Sequence, residues 1–216
     1  METVKISKKL LKRLPIYLAH LKSLPENSNV SATSIAKALN LGDVQVRKDL
    51  AKVSEAGRRR TGRCREQLIR DIEEYLDFAA QTGTVIIGAG KLGRALLDYD
   101  GFEESGLNVM AGFDLEPWAE YSESGKPIYF INRLEHFCRH YDVHIGVIAV
   151  PAESAQNVCD CLVSCGISAI WNFAPVHLQV PDSVTVQSEN LAVSLTSLRV
   201  QMKNQNRELS TMNRVI

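Results

Sequence analysis

Hydrophobic residues near the start of the chain recur at helical spacing. Residues 6–23 predict a helix with one apolar face, formed by Leu10, Leu14, Tyr17, Leu18 and Leu21. Pro15 lies inside this stretch and predicts either a kink or a later start of the helix. A second amphipathic stretch follows at residues 31–40, where Ser31 or Thr33 can cap a helix. Its inward side chains are Ile35, Ala36 and Leu39.

A tight turn, Asn40-Leu41-Gly42, separates this helix from a third one. Asp43 is expected to cap the third helix, residues 44–57, and its apolar contacts are Val44, Val46, Leu50 and Val53. Its outward side chains are polar or basic: Gln45, Arg47, Lys48 and Lys52. This arrangement is typical of a helix-turn-helix, whose second helix enters the major groove of DNA. Glutamine can then pair with adenine, arginine with guanine, and lysine with a phosphate.

Charge supports a nucleic-acid partner. The net charge is zero, but the charges are unevenly distributed. Residues 1–66 contain 15 Lys and Arg against 6 Asp and Glu, and residues 67–216 contain 10 Lys and Arg against 19 Asp and Glu. A glycine-bearing basic segment follows the third helix, in the position of a wing: Arg58, Arg59, Arg60 and Arg63. We expect it to contact double-stranded DNA. The alternative for such a run is a solvated loop. A further helix at 66–80 has an acidic outer face and is not expected on DNA.

The sharpest motif begins at Thr84. Val85-Ile86-Ile87 predicts a buried strand, G-x-G-x-x-G follows at residues 88–93, and a helix opens at Lys91. Such glycines allow a tight turn, a close backbone approach to a pyrophosphate, and close packing of helix on strand. A second strand ends in Asp114, 21 residues past Gly93, where a carboxylate is expected on the ribose hydroxyls of NAD(H) and would repel the 2′-phosphate of NADP.

Strands and helices continue to alternate after Asp114. Strands are predicted at 128–131, 143–151, 169–175 and 184–187, and helices at 132–140 and 152–165. The fold class is therefore α/β, with an N-terminal winged helix-turn-helix domain followed by a Rossmann-like, doubly wound parallel sheet and a C-terminal helix. The cofactor residues expected are Gly88, Ala89, Gly90, Lys91, Leu92, Gly93 and Asp114, with Val150, Pro151, Asn172 and Phe173 near the nicotinamide half.

The predicted domains are 1–80 for DNA, 81–189 for NAD(H), 190–207 for dimerisation and 208–216 as a tail. The dimerisation helix has an apolar stripe that needs a partner surface, which favours a second subunit over its own domain: Leu191, Leu195, Leu198 and Met202. Cys159, Cys161 and Cys165 are spaced as ordinary helix-face thiols, and no metal is expected. Without an apolar run of 18 residues or a signal peptide, we expect no membrane span and a cytoplasmic protein.

Four segments closely resemble the redox-sensing transcriptional repressor Rex family: QVRKDL (45–50), VIIGAGKLGRALLDYDGF (85–102), AVPAESAQ (149–156) and WNFAPVHLQVP (171–181). The resemblance runs from about residue 6 to residue 205. It implies a homodimer with a swapped terminal helix, NADH and NAD⁺ as competing effector ligands, and release from operator DNA on NADH binding. It also implies targets among fermentation and respiration genes.

The chain departs from the family pattern at several positions. Arginine replaces a glycine and a tyrosine of the wing, Asn190 stands where an acidic residue is common, and Ala19 where a basic one is expected. Tyr99 is retained, and the resemblance assigns it with Asn190 to the redox switch. Two alternatives follow: a regulator whose redox response is altered or lost, and an NAD-dependent oxidoreductase. For the second, only His177 is a plausible proton donor, so we expect no enzyme activity.

Overall fold

The structure is a computed structural model that describes residues 7–54, 62–77 and 81–212. Internal contacts divide the chain into two compact units, Met1–Gln81 and Thr82–Ile216. Each unit has its own hydrophobic core. In the part of the chain that the structure describes, we find no helix that combines the length and the apolar character needed to cross a bilayer.

The first unit contains four helices, α1 (Lys8–Lys22), α2 (Ala32–Ala38), α3 (Asp43–Val53) and α4 (Arg65–Tyr75). Two short strands, β1 (Asn29–Val30) and β2 (Arg63–Cys64), pair antiparallel. The predicted apolar face of α1 is buried throughout and packs with side chains of the other three helices. The helix-turn-helix is confirmed as α2, the turn at Leu39–Gly42, and α3.

Several local expectations for this unit are corrected. The helix α3 ends at Val53 rather than at residue 57. Of the two outcomes expected for Pro15, the later start is wrong, because α1 begins at Lys8 and continues through this proline. Gly42 occupies the N-cap of α3, because Asp43 already has helical geometry and instead accepts a 2.8 Å hydrogen bond from Thr33 Oγ1. Val44 is 66% exposed rather than packed, since it lies in the first turn of α3 on the side away from the core.

The second unit contains a six-stranded, fully parallel sheet. In chain order its strands are β3 (Thr82–Ile87), β4 (Leu107–Asp114), β5 (Ile128–Phe130), β6 (Val143–Ile148), β7 (Ala169–Asn172) and β8 (Thr185–Ser188). Their spatial order is β5-β4-β3-β6-β7-β8. The chain therefore winds outward in both directions from the neighbouring strands β3 and β6, which is the doubly wound arrangement predicted.

Helices cover both faces of this sheet. Val85 and Ile87 face one core together with α6 (Leu134–His140) and α7 (Ala152–Ser164). Ile86 between them faces the opposite core, which includes Leu97 of α5 (Lys91–Leu97). This alternation is the period of two that a strand covered on both sides requires.

Several elements differ from the predicted ones. The strand β6 ends at Ile148 rather than at residue 151. The strand β7 ends at Asn172 rather than at residue 175, because the chain turns there and the Asn172 side chain bonds the next residues. A short 3-10 helix at Asp100–Ser105 was not predicted from the sequence. The last helix, α8 (Leu191–Met212), carries the predicted apolar stripe, and its four members are 53–69% exposed on this chain: Leu191, Leu195, Leu198 and Met202.

Candidate functional site

The glycine-rich loop follows β3 and leads directly into α5. Gly88 has φ +98°, and a Cβ there would lie 2.6 Å from the carbonyl oxygen of Ala149. A Cβ on Gly93 would lie 1.7 Å from the Gly88 carbonyl oxygen, so only glycine allows α5 to pack this closely. A Cβ on Gly90 would meet no atom within 4 Å. The backbone at Gly90 therefore borders open space, as a loop that admits a pyrophosphate must.

Asp114 ends the neighbouring strand β4 and reaches back to this loop. Its Oδ2 accepts a 2.6 Å hydrogen bond from the backbone N–H of Ala89, and its Oδ1 accepts one of 3.1 Å from Glu116. The carboxylate is thus held at the carboxyl edge of the sheet beside the first glycines. This is the place where a ribose hydroxyl would be bound in a dinucleotide site.

A cavity of about 440 Å³ opens at the junction of β3 and β6. Its walls include Gly88, Gly90, Asp114, Val150 and Pro151, which the sequence predicted as cofactor residues. Its position beyond the carboxyl ends of the strands, where the order of winding reverses, is where ligands bind in open α/β sheets. The glycines, the open space and the carboxylate together fit an NAD-type dinucleotide.

Part of the cavity wall was not predicted. Leu115 and Ile131 line it, together with one side of α7. The α7 residues are spaced i, i+3, i+4 and i+7, a single helical face that the sequence could have indicated: Ser154, Asn157, Val158 and Cys161. Such a mainly apolar wall suits the flat face of a base.

The predicted residues differ in how they relate to the cavity. Lys91 and Leu92 open α5 next to it, and the wall does not include them. The Asn172 side chain is fully buried, donates to the carbonyl oxygens of Ala174 and Val176, and accepts from the Ala174 N–H. Its amide therefore orders the turn after β7. Phe173 packs on Trp171, with 4.4 Å between ring centroids, and neither Asn172 nor Phe173 lines the cavity.

The polar face of α3 forms the second candidate site. Gln45, Arg47, Lys48 and Lys52 are all exposed along this helix. Arg47 bonds Asp43 at 2.9 Å and Thr33 at 3.4 Å, so its guanidinium lies between α3 and the start of α2. Gln45 donates from Nε2 to Asp49 Oδ1 at 2.8 Å.

The predicted wing is described only in part. Arg58, Arg59 and Arg60 lie outside the described residues. Arg63 is in β2 and is half-buried. Burial lowers the pKa of its guanidinium below the ordinary value, although the carboxylate of Asp71 acts in the opposite direction. Its Nε is buried without a hydrogen-bond partner. The Arg63 side chain is therefore more restricted in its motion than the side chain of an exposed wing arginine.

Four of the five thiols are packed side chains, and the fifth, Cys64, is exposed. Cys159 is fully buried in the core, whereas Cys138, Cys161 and Cys165 are half-buried. Burial is the main cause that raises the pKa of each of these four thiols. Raised pKa values make thiols poor nucleophiles.

Over residues 7–54, 62–77 and 81–212, no group of three His, Cys, Asp or Glu side chains is placed to hold a metal ion.

Comparison with known proteins decides the family. The chain is 36% identical over 197 residues to the redox-sensing transcriptional repressor Rex of Bacteroides fragilis, covering 90% of both chains. The chain belongs to the Rex family. Protein-family models also match residues 5–51, described as "Putative DNA-binding protein N-terminus", and residues 79–176, described as "CoA binding domain".

Solved structures of a Rex-family repressor, RSP, cover the same length. RSP in complex with NAD⁺ and operator DNA matches with a TM-score of 0.84 at 30% identity, over 96% of this chain and 98% of that chain. RSP in complex with NADH matches with a TM-score of 0.83 at 30% identity, over 96% and 100%. Both units of this chain therefore have counterparts in one Rex repressor.

The structure describes the three positions that the sequence analysis linked to the redox switch. Asn190 precedes α8, and its Oδ1 accepts a 3.0 Å hydrogen bond from the Val193 N–H, as a helix N-cap does. Tyr99 is 59% exposed, and its ring packs edge-on against Phe102 at 4.9 Å between centroids. Ala19 is exposed on α1. Asparagine at 190 thus keeps the capping bond that a carboxylate would make but lacks its charge.

Proposed function

We propose that this protein is a transcriptional repressor that binds operator DNA and leaves it when NADH binds the cavity between β3 and β6. The observation that carries the proposal is that one chain contains both a helix-turn-helix with a basic outer face and an Asp114-bearing glycine-loop cavity. Its relative RSP was solved with NAD⁺ and operator DNA, and with NADH. Its curated relatives are transcriptional repressors, which supports a regulator rather than an enzyme. His177 is not among the residues that line the cavity.

The dinucleotide would be held mainly by backbone and by one carboxylate. The N-terminus of α5 and the open space at Gly90 suit a pyrophosphate, and Asp114 suits ribose hydroxyls. Asp114 would repel the additional 2′-phosphate of NADP(H). Val150 and Pro151 would border the ligand directly, whereas Asn172 would act by ordering the turn that precedes Phe173.

DNA would be bound by α3 in a major groove. Gln45 and Arg47 lie in its first turns and would face base edges, while Lys48 and Lys52 would neutralise phosphates. The arginines of residues 58–63 would add sequence-independent affinity. Because each neutralised phosphate releases counterions, this binding should weaken steeply with salt.

The helix α8 would join two subunits. Four large apolar side chains exposed along one stripe of a helix are costly in water unless a second surface covers them. A second copy, with α8 exchanged, would also pair two helix-turn-helix motifs for a two-fold symmetric operator. In this scheme residues 1–80 bind DNA, 81–189 bind the dinucleotide, 190–207 form the dimer and 208–216 are a tail, in a cytoplasmic protein.

Redox coupling would be weaker than in relatives with an acidic residue at 190 and a basic one at 19. Tyr99 is retained, but Asn190 and Ala19 carry no charge. The alternative, a regulator that binds both ligands without coupling them, rests on these two positions.

Selection of duplexes from a random pool tests DNA recognition directly. The proposal predicts that the full-length protein enriches a two-fold symmetric sequence with half-sites about one helical turn apart. A Lys48→Ala/Lys52→Ala variant should retain the same consensus with lower affinity. Enrichment of no sequence over the starting pool would contradict the proposal.

A further inference from the structure

The buried carboxylate of Asp49 lies in the middle of α3, directly beneath its outer face. Asp49 is 2% exposed, although an ionised carboxylate is expensive to bury unless it is paired and fully hydrogen-bonded. A neutral apolar side chain at this position would pack in the core at lower cost. The acidic residue therefore calls for a role besides packing.

Four donors satisfy this carboxylate. Arg13 of α1 donates from Nε to Oδ2 at 2.6 Å and from Nη2 to Oδ1 at 2.9 Å. Tyr17, fully buried one turn later on α1, donates from its hydroxyl to Oδ2 at 2.8 Å. The fourth donor is Nε2 of Gln45, at 2.8 Å from Oδ1. Each oxygen thus accepts two hydrogen bonds.

The ionised state of Asp49 follows from these contacts. Burial raises the pKa of Asp49, but the hydrogen bonds from Arg13, Tyr17 and Gln45 outweigh it, and the pKa lies below its ordinary value. An ionised carboxylate accepts hydrogen bonds and donates none. Only the NH₂ end of the Gln45 amide can therefore face it, and a flipped amide would set two oxygens against each other.

This constraint determines what Gln45 presents to DNA. One hydrogen of Nε2 is used by Asp49, and Gln45 is exposed, so its other N–H and its Oε1 atom remain available to a base. Adenine presents a matching pair in the major groove, since its N7 accepts and its N6 amino group donates. A freely rotating or flipped amide would present this edge only part of the time.

We propose that Arg13, Tyr17 and Asp49 are positioning residues for base recognition, which hold the Gln45 amide in the one orientation that reads adenine. This proposal rests on the proposed function, because Gln45 must lie in a major groove. Arg13 and Tyr17 come from α1, which itself need not touch DNA. The specificity of α3 thus depends on a neighbouring helix.

The test uses a variant that removes the network without leaving a buried charge unpaired. Arg13→Met/Tyr17→Phe/Asp49→Leu replaces polar groups by apolar ones of similar volume, which buried ion pairs commonly tolerate. Full-length protein is assayed on a selected operator and on duplexes with each A·T pair replaced in turn. Asp160→Asn is the matched control, because Gln156 donates to Asp160 with the same i, i+4 geometry in the other unit, at 2.7 Å.

Wild-type protein should discriminate against the substituted duplex at one symmetric A·T position by about tenfold or more. The triple variant should lose most of this discrimination at that position only, while its affinity for random duplex and its salt dependence stay unchanged. Gln45→Ala should cause the same loss in wild type and little further loss in the triple variant. A purely structural role would lower affinity for all duplexes alike and keep the ratio.

Two other outcomes have separate meanings. A triple variant that keeps the wild-type discrimination, while Gln45→Ala loses it, would overturn this proposal and leave the proposed function intact. Wild-type protein that prefers no duplex over random DNA would overturn the proposed function, and this proposal with it.

Discussion

The backbone N–H of Ala89 donates a 2.6 Å hydrogen bond to the carboxylate of Asp114, joining the glycine loop after β3 to the end of β4. The same carboxylate lines the cavity. Loop geometry and ligand selectivity therefore depend on one side chain, and its replacement should affect both.

Replacing Asp114 by Ser should change the preference between dinucleotides. We expect wild-type protein to bind NADH at least about tenfold more tightly than NADPH, since the carboxylate hydrogen-bonds ribose hydroxyls and repels a 2′-phosphate. Asp114→Ser should bind NADH more weakly and reduce that preference. Isothermal titration with both dinucleotides measures it, and a preference equal to that of wild type would show that Asp114 does not face the ribose.

Substitution of Gly90 should affect NADH binding, whereas substitution of Gly93 should affect thermal stability. Gly90→Leu should weaken NADH binding by at least about 100-fold with an unchanged melting temperature, because its Cβ enters open space that the pyrophosphate needs. Gly93→Ala should lower the melting temperature, because its Cβ would meet the Gly88 carbonyl oxygen at 1.7 Å. Thermal unfolding and NADH titration of both variants provide the comparison. Tight NADH binding by Gly90→Leu would mean that the cavity is assigned wrongly.

Asn190→Asp should strengthen the response of DNA binding to NADH. The substitution keeps an oxygen to cap α8 and adds the negative charge that the sequence analysis expected at this position. Adding Ala19→Arg should increase the response further. The measurement is the ratio of DNA dissociation constants with and without NADH.

Asn190→Ala separates the cap from the charge. It should cost about 1 kcal/mol of stability through loss of the capping bond. A redox response in Asn190→Asp no larger than that of Asn190→Ala would show that charge at position 190 has no part in the coupling.

The phenol of Tyr17 should ionise at unusually high pH. Burial, together with the hydrogen bond to Asp49, raises the pKa of Tyr17 to about 12. Because the fold favours the neutral form, its contribution to stability is complete below the ordinary pKa of about 10 and is lost as pH rises through about 12. The tyrosinate absorbance of wild type minus that of Tyr17→Phe should therefore rise near pH 12. Tyr121→Phe, which removes an exposed phenol, is the control variant. A wild-type minus Tyr17→Phe difference curve centred near pH 10 would contradict the raised pKa of Tyr17.

The spacing of apolar residues along the sequence predicted the helices and strands that have one or two buried faces. The apolar face of α1, the alternation of Val85, Ile86 and Ile87 between two cores, and the loop at residues 88–93 all follow from spacing and from backbone requirements. These are local properties, so neighbouring residues suffice to reveal them.

Relationships across elements could not be predicted in this way. Two partners of Asp49, Tyr17 and Arg13, lie 32 and 36 residues away on α1, and nothing in QVRKDL indicates that its Asp is buried. Val44 has an apolar side chain but lies in the first turn of α3 away from the core, so residue type misassigned it. Asn172 was predicted beside the cofactor, yet its amide is used by the turn that follows it. The burial of Asp49 and the exposure of Val44 depend on packing between segments that are distant in sequence. The Asn172 bonds are local, to residues 174 and 176, and depend on where β7 ends.

The most direct test of the central claim is DNA binding by fluorescence anisotropy, on a selected palindromic duplex at fixed salt, with and without saturating NADH. NAD⁺ and CoA serve as control ligands, the latter because a CoA-binding family model matches residues 79–176. The account predicts that NADH weakens DNA binding by roughly 5–150-fold, the usual range of coupling between two sites, and that Gly90→Leu is insensitive to it. DNA affinity that is unchanged while NADH is bound, as measured separately by titration, would contradict the claim that this protein senses NADH through its hold on DNA.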